Sequence, residues 1–226
     1  MNVPETTKAR GISSKTPHKT ICVIDDDDAV RDSLQALLGS TGLSVTTYSD
    51  GTSFLDDYKP ENISCALIDV RMPDIDGIEL LERLAKRENL PPIVIITGHG
   101  EVEMAVKALK IGAFDFIEKP FEPDALIERV NAAVRWGESK LANKQKVKEA
   151  KGRLDILTPR ETDVLKCLLT GLSNKAIARE LDLSPRTVEV HRARVMDKTG
   201  VESLSHLVRL SLLAGLEPED NGDDKS

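Results

Sequence analysis

Five polar residues stand just beyond short aliphatic runs. Asp25 and Asp26 follow TICVI, Asp69 follows SCALI, Thr97 follows PIVII, and Lys119 lies just past FDFI. If these runs are parallel strands of one sheet, three carboxylates, a hydroxyl and an ammonium converge on one rim. Carboxylates about 5 Å apart repel by roughly 3 kcal/mol per pair at an effective dielectric near 20. A hard divalent cation relieves that repulsion. Carboxylate, carbonyl and water donors without His or Cys suit Mg²⁺ rather than zinc. A carboxylate beside such a cation can attack a phosphoryl group and become an aspartyl phosphate. Asp69 is the candidate nucleophile, being the lone acid at its strand end, with Asp25 and Asp26 on the metal. Lys119 and Thr97 would then meet phosphoryl oxygens.

The elements that must position these groups are legible from Thr20 to Trp136. TICVI, LSVTTY, SCALI, PIVII and FDFI alternate with DAVRDSLQALLGS, DGTSFLDDY, GIELLERLAKRE, EVEMAVKALKIG and PDALIERVNAAVRW. TICVI, SCALI and PIVII are almost wholly apolar, as in strands buried on both faces. The intervening segments carry apolar residues at i, i+3 and i+4, and Gly39 and Gly112 are expected to stop two of them. Five βα units imply a doubly wound parallel sheet with right-handed crossovers. In such a sheet, ligands bind beyond the carboxyl ends of the strands.

The strings VIDDDDAVRDSL, LIDVRMPDIDGIELL and PIVIITGHGEVEMAVKALKIGAFDFIEKPF resemble the receiver domain of two-component response regulators over residues 20–136. That resemblance implies a flavodoxin-like (βα)5 fold, with Asp25 and Asp26 as the acidic metal pair and Asp69 as phospho-acceptor. It further implies the Arg71 backbone carbonyl as a third protein ligand to Mg²⁺ or Mn²⁺, Thr97 as switch hydroxyl, Phe116 as switch aromatic and Lys119 as the site lysine. Lys119–Pro120 resembles the family's Lys-Pro step, commonly cis. Asp27 and Asp28 leave the metal register ambiguous; aligning AVRDSL favours Asp25 and Asp26, and the two later acids suit the first turn of the next helix. TGHG lacks the Lys-Ser/Thr of a P-loop and reads as a turn, with His99 an exposed loop residue. A phosphatase built on Asp69 would need a second acid two residues on, where Arg71 stands.

A different regime follows. WGESKLANKQKVKEAKG is Lys-rich and reads as a helical linker over 137–152 that can extend the preceding helix, since Ile127, Val134 and Leu141 recur every seven residues. Residues 153–216 hold no strand-like run and read as four short helices. Thr158 caps the first, with Pro159 in its first turn and Glu161 completing a capping box; Gly171 ends it. Ser173 or Asn174 begins a second, and Ser184 with Pro185 begins a third. A short helix, a tight turn and a helix rich in Arg and His fit a helix-turn-helix. Stepping 100° per residue from Val188 puts Val195 at about 340°, so these two valines define a buried seam. Arg186, Val190 and Ala193 then lie at about 160°, 200° and 140°, flanked by Glu189 and Arg194 at about 100° and 240°. Small residues between arginines make a major-groove face: they allow close approach, touch thymine methyls and leave arginines free for guanine. Lys175, Thr187, His191, Arg192 and Lys198 are better placed for phosphates.

LTPRETDVLKCLLTGLSNKAIARELDLSPRTVEVHRARVMDKTGVESLSHLVRL resembles the LuxR-type DNA-binding domain, most closely that of FixJ-type regulators. The resemblance implies a structural role for Glu161, a recognition helix over 185–198 and a dimerisation helix over 203–213. Similarity to FixJ-type dimers also implies Val106 and Lys110 at a receiver dimer face.

Composition agrees with a soluble chain. Of its 226 residues 40% are hydrophobic and 31% charged, and no apolar run approaches the ~18 residues of a membrane span. The net charge of −7 is uneven: −11 over 20–136, +3 over 137–152 and +2 over 153–216. An acidic first domain joined through a basic linker to a basic second one permits DNA binding by the second half. The N-terminus has no hydrophobic h-region, and Cys22, Cys65 and Cys167, each among apolar neighbours, read as buried free thiols in a reducing cytoplasm. The tails 1–19 and 217–226 read as disordered. The expectation is a cytoplasmic, phosphorylation-activated transcription factor. Its partners are a sensor histidine kinase, double-stranded promoter DNA, RNA polymerase and a second copy of itself, with no membrane. A receiver joined to a domain that binds protein instead of DNA is the alternative.

Overall fold

The computed structural model describes residues 20–98 and 102–216. His99, the end of TGHG and both tails lie outside the described residues. The chain divides into two compact units between Ser139 and Lys140.

The first unit is a five-stranded parallel sheet in the order β2-β1-β3-β4-β5. Its strands are β1 (Thr20–Ile24), β2 (Ser44–Tyr48), β3 (Ile63–Asp69), β4 (Ile93–Thr97) and β5 (Asp115–Glu118). Between them run α1 (Asp28–Ser40), α2 (Gly51–Asp56), α3 (Gly77–Ala85) and α4 (Val102–Ile111), and α5 (Pro123–Asp155) follows. Alternate strand residues face two cores. Cys22, Ile24, Ala66, Ile68, Ile93 and Ile95 pack with Phe54 of α2, with Ile78, Leu80, Leu81 and Leu84 of α3, and with Ala108 of α4. Ile21, Val23, Cys65, Leu67, Val94 and Ile96 pack with Leu34 and Leu38 of α1 and Leu126, Val130 and Ala133 of α5. Strands covered on both faces need continuous apolar runs, which is what the central strands carry.

One local expectation changes. Gly39 does not stop α1, which runs to Ser40; the turn closes at Thr41, and Gly42 takes the left-handed conformation at φ 82°. Gly112, at φ 127°, does follow the end of α4. The Lys-rich segment is helical and extends the preceding helix: α5 continues through it as one 33-residue helix. Val134 on that helix is buried, whereas Leu141 is 68% exposed.

The second unit contains α6 (Pro159–Leu169), α7 (Asn174–Glu180), α8 (Pro185–Thr199) and α9 (Leu204–Leu213). Thr158, Ser173, Ser184 and Ser203 cap the four N-termini through their side-chain oxygens. Val164, Leu165, Leu168, Ile177, Ala178, Val188, Val195 and Leu207 form its core. Cys22 and Cys65 are buried and Cys167 is only half-buried; all three are free thiols. Burial pushes the Cys22 thiol up to about 12, with the Asp57 charge adding to it.

Candidate functional site

Strand termination places the acidic rim. Asp25 follows β1 directly and is 1% exposed, while Asp26 turns to solvent. Asp27 caps α1, accepting from the Ala29 and Val30 N–H groups, and its own N–H donates to Asp25 Oδ1 at 3.0 Å. The four-aspartate run therefore divides into one inward acid, one helix cap and two exposed acids. Asp69 closes β3 and is 7% exposed; Thr97 closes β4 at 2%.

Lys119, one residue beyond β5, bridges the two buried acids. Its Nζ donates to Asp25 Oδ2 at 2.8 Å and to Asp69 Oδ1 at 2.7 Å. The Lys119–Pro120 peptide is cis. The Lys119 backbone N–H donates to the Thr97 carbonyl at 2.8 Å, which ties the lysine to the β4 end. Burial raises the pKa of Asp69, with the Asp25 charge adding to it, against the opposing pull of Lys119 and of the Arg71 N–H. Burial works against the charge on Lys119, but its hydrogen bonds to both acids outweigh that and leave its pKa raised.

The loop after β3 is held closely. Arg71 N–H donates to Asp69 Oδ2 at 2.6 Å, and Gly77 N–H donates to the Val70 carbonyl at 2.9 Å. A Cβ at Gly77 would fall 2.2 Å from the Asp69 carbonyl oxygen, so only glycine lets α3 start this near the end of β3. Asp74 accepts from the Thr52 N–H and hydroxyl, tying the same loop to α2. Sequence reasoning missed Arg31, whose Nη1 donates to the Asp25 carbonyl at 2.6 Å while Nη2 pairs with Asp28. Only the i, i+3 spacing of Arg31 from Asp28 hinted at it. Phe116 on β5 is half-buried against the core that holds α3 and α4. On α4, Val106 is 45% exposed, Leu109 is 42% exposed, and Lys110 is also open to solvent.

On α8 the angular reading matches the burial. Val188 and Val195 are fully buried, whereas Arg186, Glu189, Val190, Ala193 and Arg194 are exposed. Lys175 on α7 is exposed as well. Four residues expected at phosphates are also held or half-buried within the unit itself. Arg192 donates to Asn174 of α7, since its position of about 40° lies beside the buried seam. His191 is half-buried, with Nδ1 shut from solvent. Lys198 donates to Glu161 Oε2 at 2.7 Å, because Glu161 is buried in the α6 capping box and needs a cation beside it. Thr187 shares a 2.8 Å hydrogen bond with the capping hydroxyl of Ser184.

Residues 21–131 match the response regulator receiver domain family, and residues 155–211 match the family described as bacterial regulatory proteins, luxR family. The chain is 50% identical over 196 residues to the transcriptional regulatory protein FixJ of Bradyrhizobium diazoefficiens, covering 87% of this chain and 96% of that one. It is 41% identical over 191 residues to the response regulator protein TodT of Pseudomonas putida, covering 84% of each. Among solved structures, the response regulator StyR is similar at 39% identity and a TM-score of 0.78, covering 86% of this chain and 98% of StyR. Full-length FixJ from B. japonicum is similar at 49% identity and a TM-score of 0.55, covering 89% of this chain and 99% of that one. The chain therefore belongs to the response regulators that join a receiver domain to a LuxR-type helix-turn-helix domain, and it is a phosphorylation-activated, DNA-binding transcriptional regulator.

Proposed function

We propose that Asp69 is the phospho-acceptor and that a sensor histidine kinase supplies the phosphoryl group. The observation that carries this is the Lys119 ammonium, placed 2.7 Å from Asp69 Oδ1. An Asp69 oxygen attacks phosphorus, the bond from phosphorus to the kinase imidazole breaks, and the imidazole leaves with a proton. Lys119 then exchanges a carboxylate oxygen for a phosphoryl oxygen. The same residues let the receiver catalyse its own phosphorylation from small acyl phosphates and its own dephosphorylation by water.

Receiver domains bind Mg²⁺ at the phosphorylation site. The donors at this rim are hard oxygens: the carboxylates of Asp25, Asp26 and Asp69 and the Arg71 backbone carbonyl. They fit Mg²⁺ or Mn²⁺, though among the described residues no three His, Cys, Asp or Glu side chains are gathered as a ready metal cluster. When bound, the cation neutralises charge on the incoming phosphoryl group.

The phosphoryl group adds about −1.5 to −2 charge and three acceptor oxygens. The Thr97 hydroxyl moves to meet it, Phe116 packs inward, and the α4–β5 face around Val106 and Lys110 becomes a dimer contact. The exposed Val106 and Leu109 on that face support this reading. A dimer presents two α8 helices to a pseudo-palindromic promoter site. Arg186, Glu189, Val190, Ala193 and Arg194 read base edges, while Lys175, Thr187 and His191 meet phosphates. RNA polymerase is the partner at the promoter, and the cytoplasm is where this chemistry belongs. Incubation with acetyl phosphate and Mg²⁺ should give one base-labile acyl phosphate that Asp69→Asn abolishes. Label that persists in this variant at another residue overturns the site assignment.

A further inference from the structure

The carboxyl end of α8 is held by a side chain from α5. Arg153, in the last turn of α5, donates through Nε to the Thr199 carbonyl at 2.7 Å and through Nη2 to the Gly200 carbonyl at 3.0 Å. The Gly200 N–H donates to the Asp197 carbonyl and the Val201 N–H to the Met196 carbonyl. Those bonds close the helix but leave the Thr199 and Gly200 carbonyls for a partner from elsewhere, which Arg153 supplies. The Arg153 guanidinium meets the carboxyl end of α8, which carries partial negative charge. A guanidinium fork suits this better than an ammonium, because its N–H groups are fixed in one plane. Gly200 has φ 61°, and a Cβ there would stand 3.5 Å from Arg153 Nη2.

We infer that Arg153 is a positioning residue for DNA recognition: it sets the tilt of α8 without touching DNA. This rests on the reading of α8 as the recognition helix. Three of the five base-reading residues, Arg186, Glu189 and Val190, occupy the N-terminal half of α8, away from the anchor, while Ala193 and Arg194 lie nearer to it. Arg186 lies thirteen residues before Thr199, about 20 Å at 1.5 Å per residue. A tilt of about 5° at the anchor would carry that end about 1.7 Å, more than the ~0.5 Å span of good hydrogen-bond lengths. A loose anchor therefore costs base contacts first and leaves the diffuse attraction to phosphates intact.

The test uses the full chain and duplexes chosen by the wild type from a random oligonucleotide pool. Dissociation constants for the selected duplex and a scrambled one are measured for Arg153→Gln, Arg153→Lys and Arg186→Ala, at a temperature where thermal unfolding shows each fully folded. Charge-assisted hydrogen bonds of this kind imply about tenfold weaker binding of the selected duplex by Arg153→Gln, with the scrambled duplex changed by less than about twofold. The slope of affinity against salt should not change, and Arg153→Lys should recover part of the loss. Unchanged selected-duplex binding with a lower melting temperature would overturn the inference and leave Arg153 purely structural. Equal losses on both duplexes with a shallower salt slope would overturn it differently, making Arg153 a phosphate contact. Arg186→Ala separates the two levels. If it too leaves sequence preference intact, the reading of α8 has failed; if it abolishes preference while Arg153→Gln does not, only the positioning role has.

Discussion

Glu161→Gln removes one charge from the helical unit while keeping the shape of the side chain. In the wild type, Oε2 accepts from Lys198 Nζ at 2.7 Å and from the Thr158 N–H at 2.8 Å. The Lys198 hydrogen bond, seconded by the Thr158 N–H, holds the carboxyl down to about 2. An unfolded glutamate titrates near 4.3, so the difference of roughly two units corresponds to about 3 kcal/mol at 1.36 kcal/mol per unit. The Lys198 side chain is 34% exposed, and solvent screening brings the contribution to about 2 kcal/mol. Because the folded pKa lies below the unfolded one, this stability is present above about pH 4.3 and is lost as pH falls toward 2.

The measurement is hydrogen exchange by mass spectrometry on the full chain, following peptides over 158–169 and 185–199. At pH 7, Glu161→Gln should lower protection there by about thirtyfold, the equivalent of 2 kcal/mol. Near pH 3 the gap between wild type and variant should shrink by more than half. Lys198→Gln should cost a similar amount, and the double variant less than the sum, since it leaves no buried charge unpaired. A gap within about twofold at pH 7, or one that does not shrink in acid, would refute the pairing as a source of stability.

Three further outcomes are expected. Thr97→Ala should still be labelled at Asp69 by acetyl phosphate but should gain no DNA affinity on phosphorylation, so a normal gain, read by fluorescence anisotropy, removes Thr97 from the switch. Val106→Asp buries an unpaired charge in the proposed α4 contact, and sedimentation of the phosphorylated variant should show monomer; undiminished dimer affinity moves the interface elsewhere. In binding-site selection, Ala193→Arg and Val190→Ala should change the preferred base at one position of each half-site, the half-sites lying about 10–10.5 base pairs apart. Lys175→Ala should leave the preference alone and flatten the salt dependence by about one unit of slope. If the first two leave the sequence unchanged while Lys175→Ala alters it, α8 docks in another register.

Periodicity reveals faces, and this determined what could be read in advance. The central strands, covered on both sides, must be apolar throughout, and the first polar residue after TICVI, SCALI and PIVII stands on the rim. The same logic made Val188 and Val195 the inner seam of α8. The aspartate run was harder, because four identical residues carry no periodic signal; backbone direction decides that Asp25 turns in while Asp27 caps α1. Ends of elements were less legible than their middles. Gly39 looked like a stop, yet it sits inside the last turn of α1, and the left-handed residue is Gly42. The continuity of α5 is legible in the seven-residue recurrence of Ile127, Val134 and Leu141 and in Lys, Ala and Gln residues that favour helix, and neither Gly137 nor Gly152 breaks it.

Partners between distant positions were not legible at all. Lys198 and Glu161 stand 37 residues apart, and Arg153 and Thr199 stand 46 apart. Each cation taken singly reads as a surface charge on a helix, available to DNA. Only the packing of α6, α8 and the end of α5 shows that both serve the carboxyl end of the recognition helix. The reading of α8 is changed by this more than by any shift of its boundaries. Basic residues in a DNA-binding unit divide into those that meet DNA and those that hold the reader in place, and helical angle alone cannot separate the two. Arg186 and Arg194, exposed on the face opposite the seam, fall in the first group by geometry. Arg153 falls in the second because two carbonyls claim it, and Lys198, paired with Glu161 yet still exposed, stands between the groups.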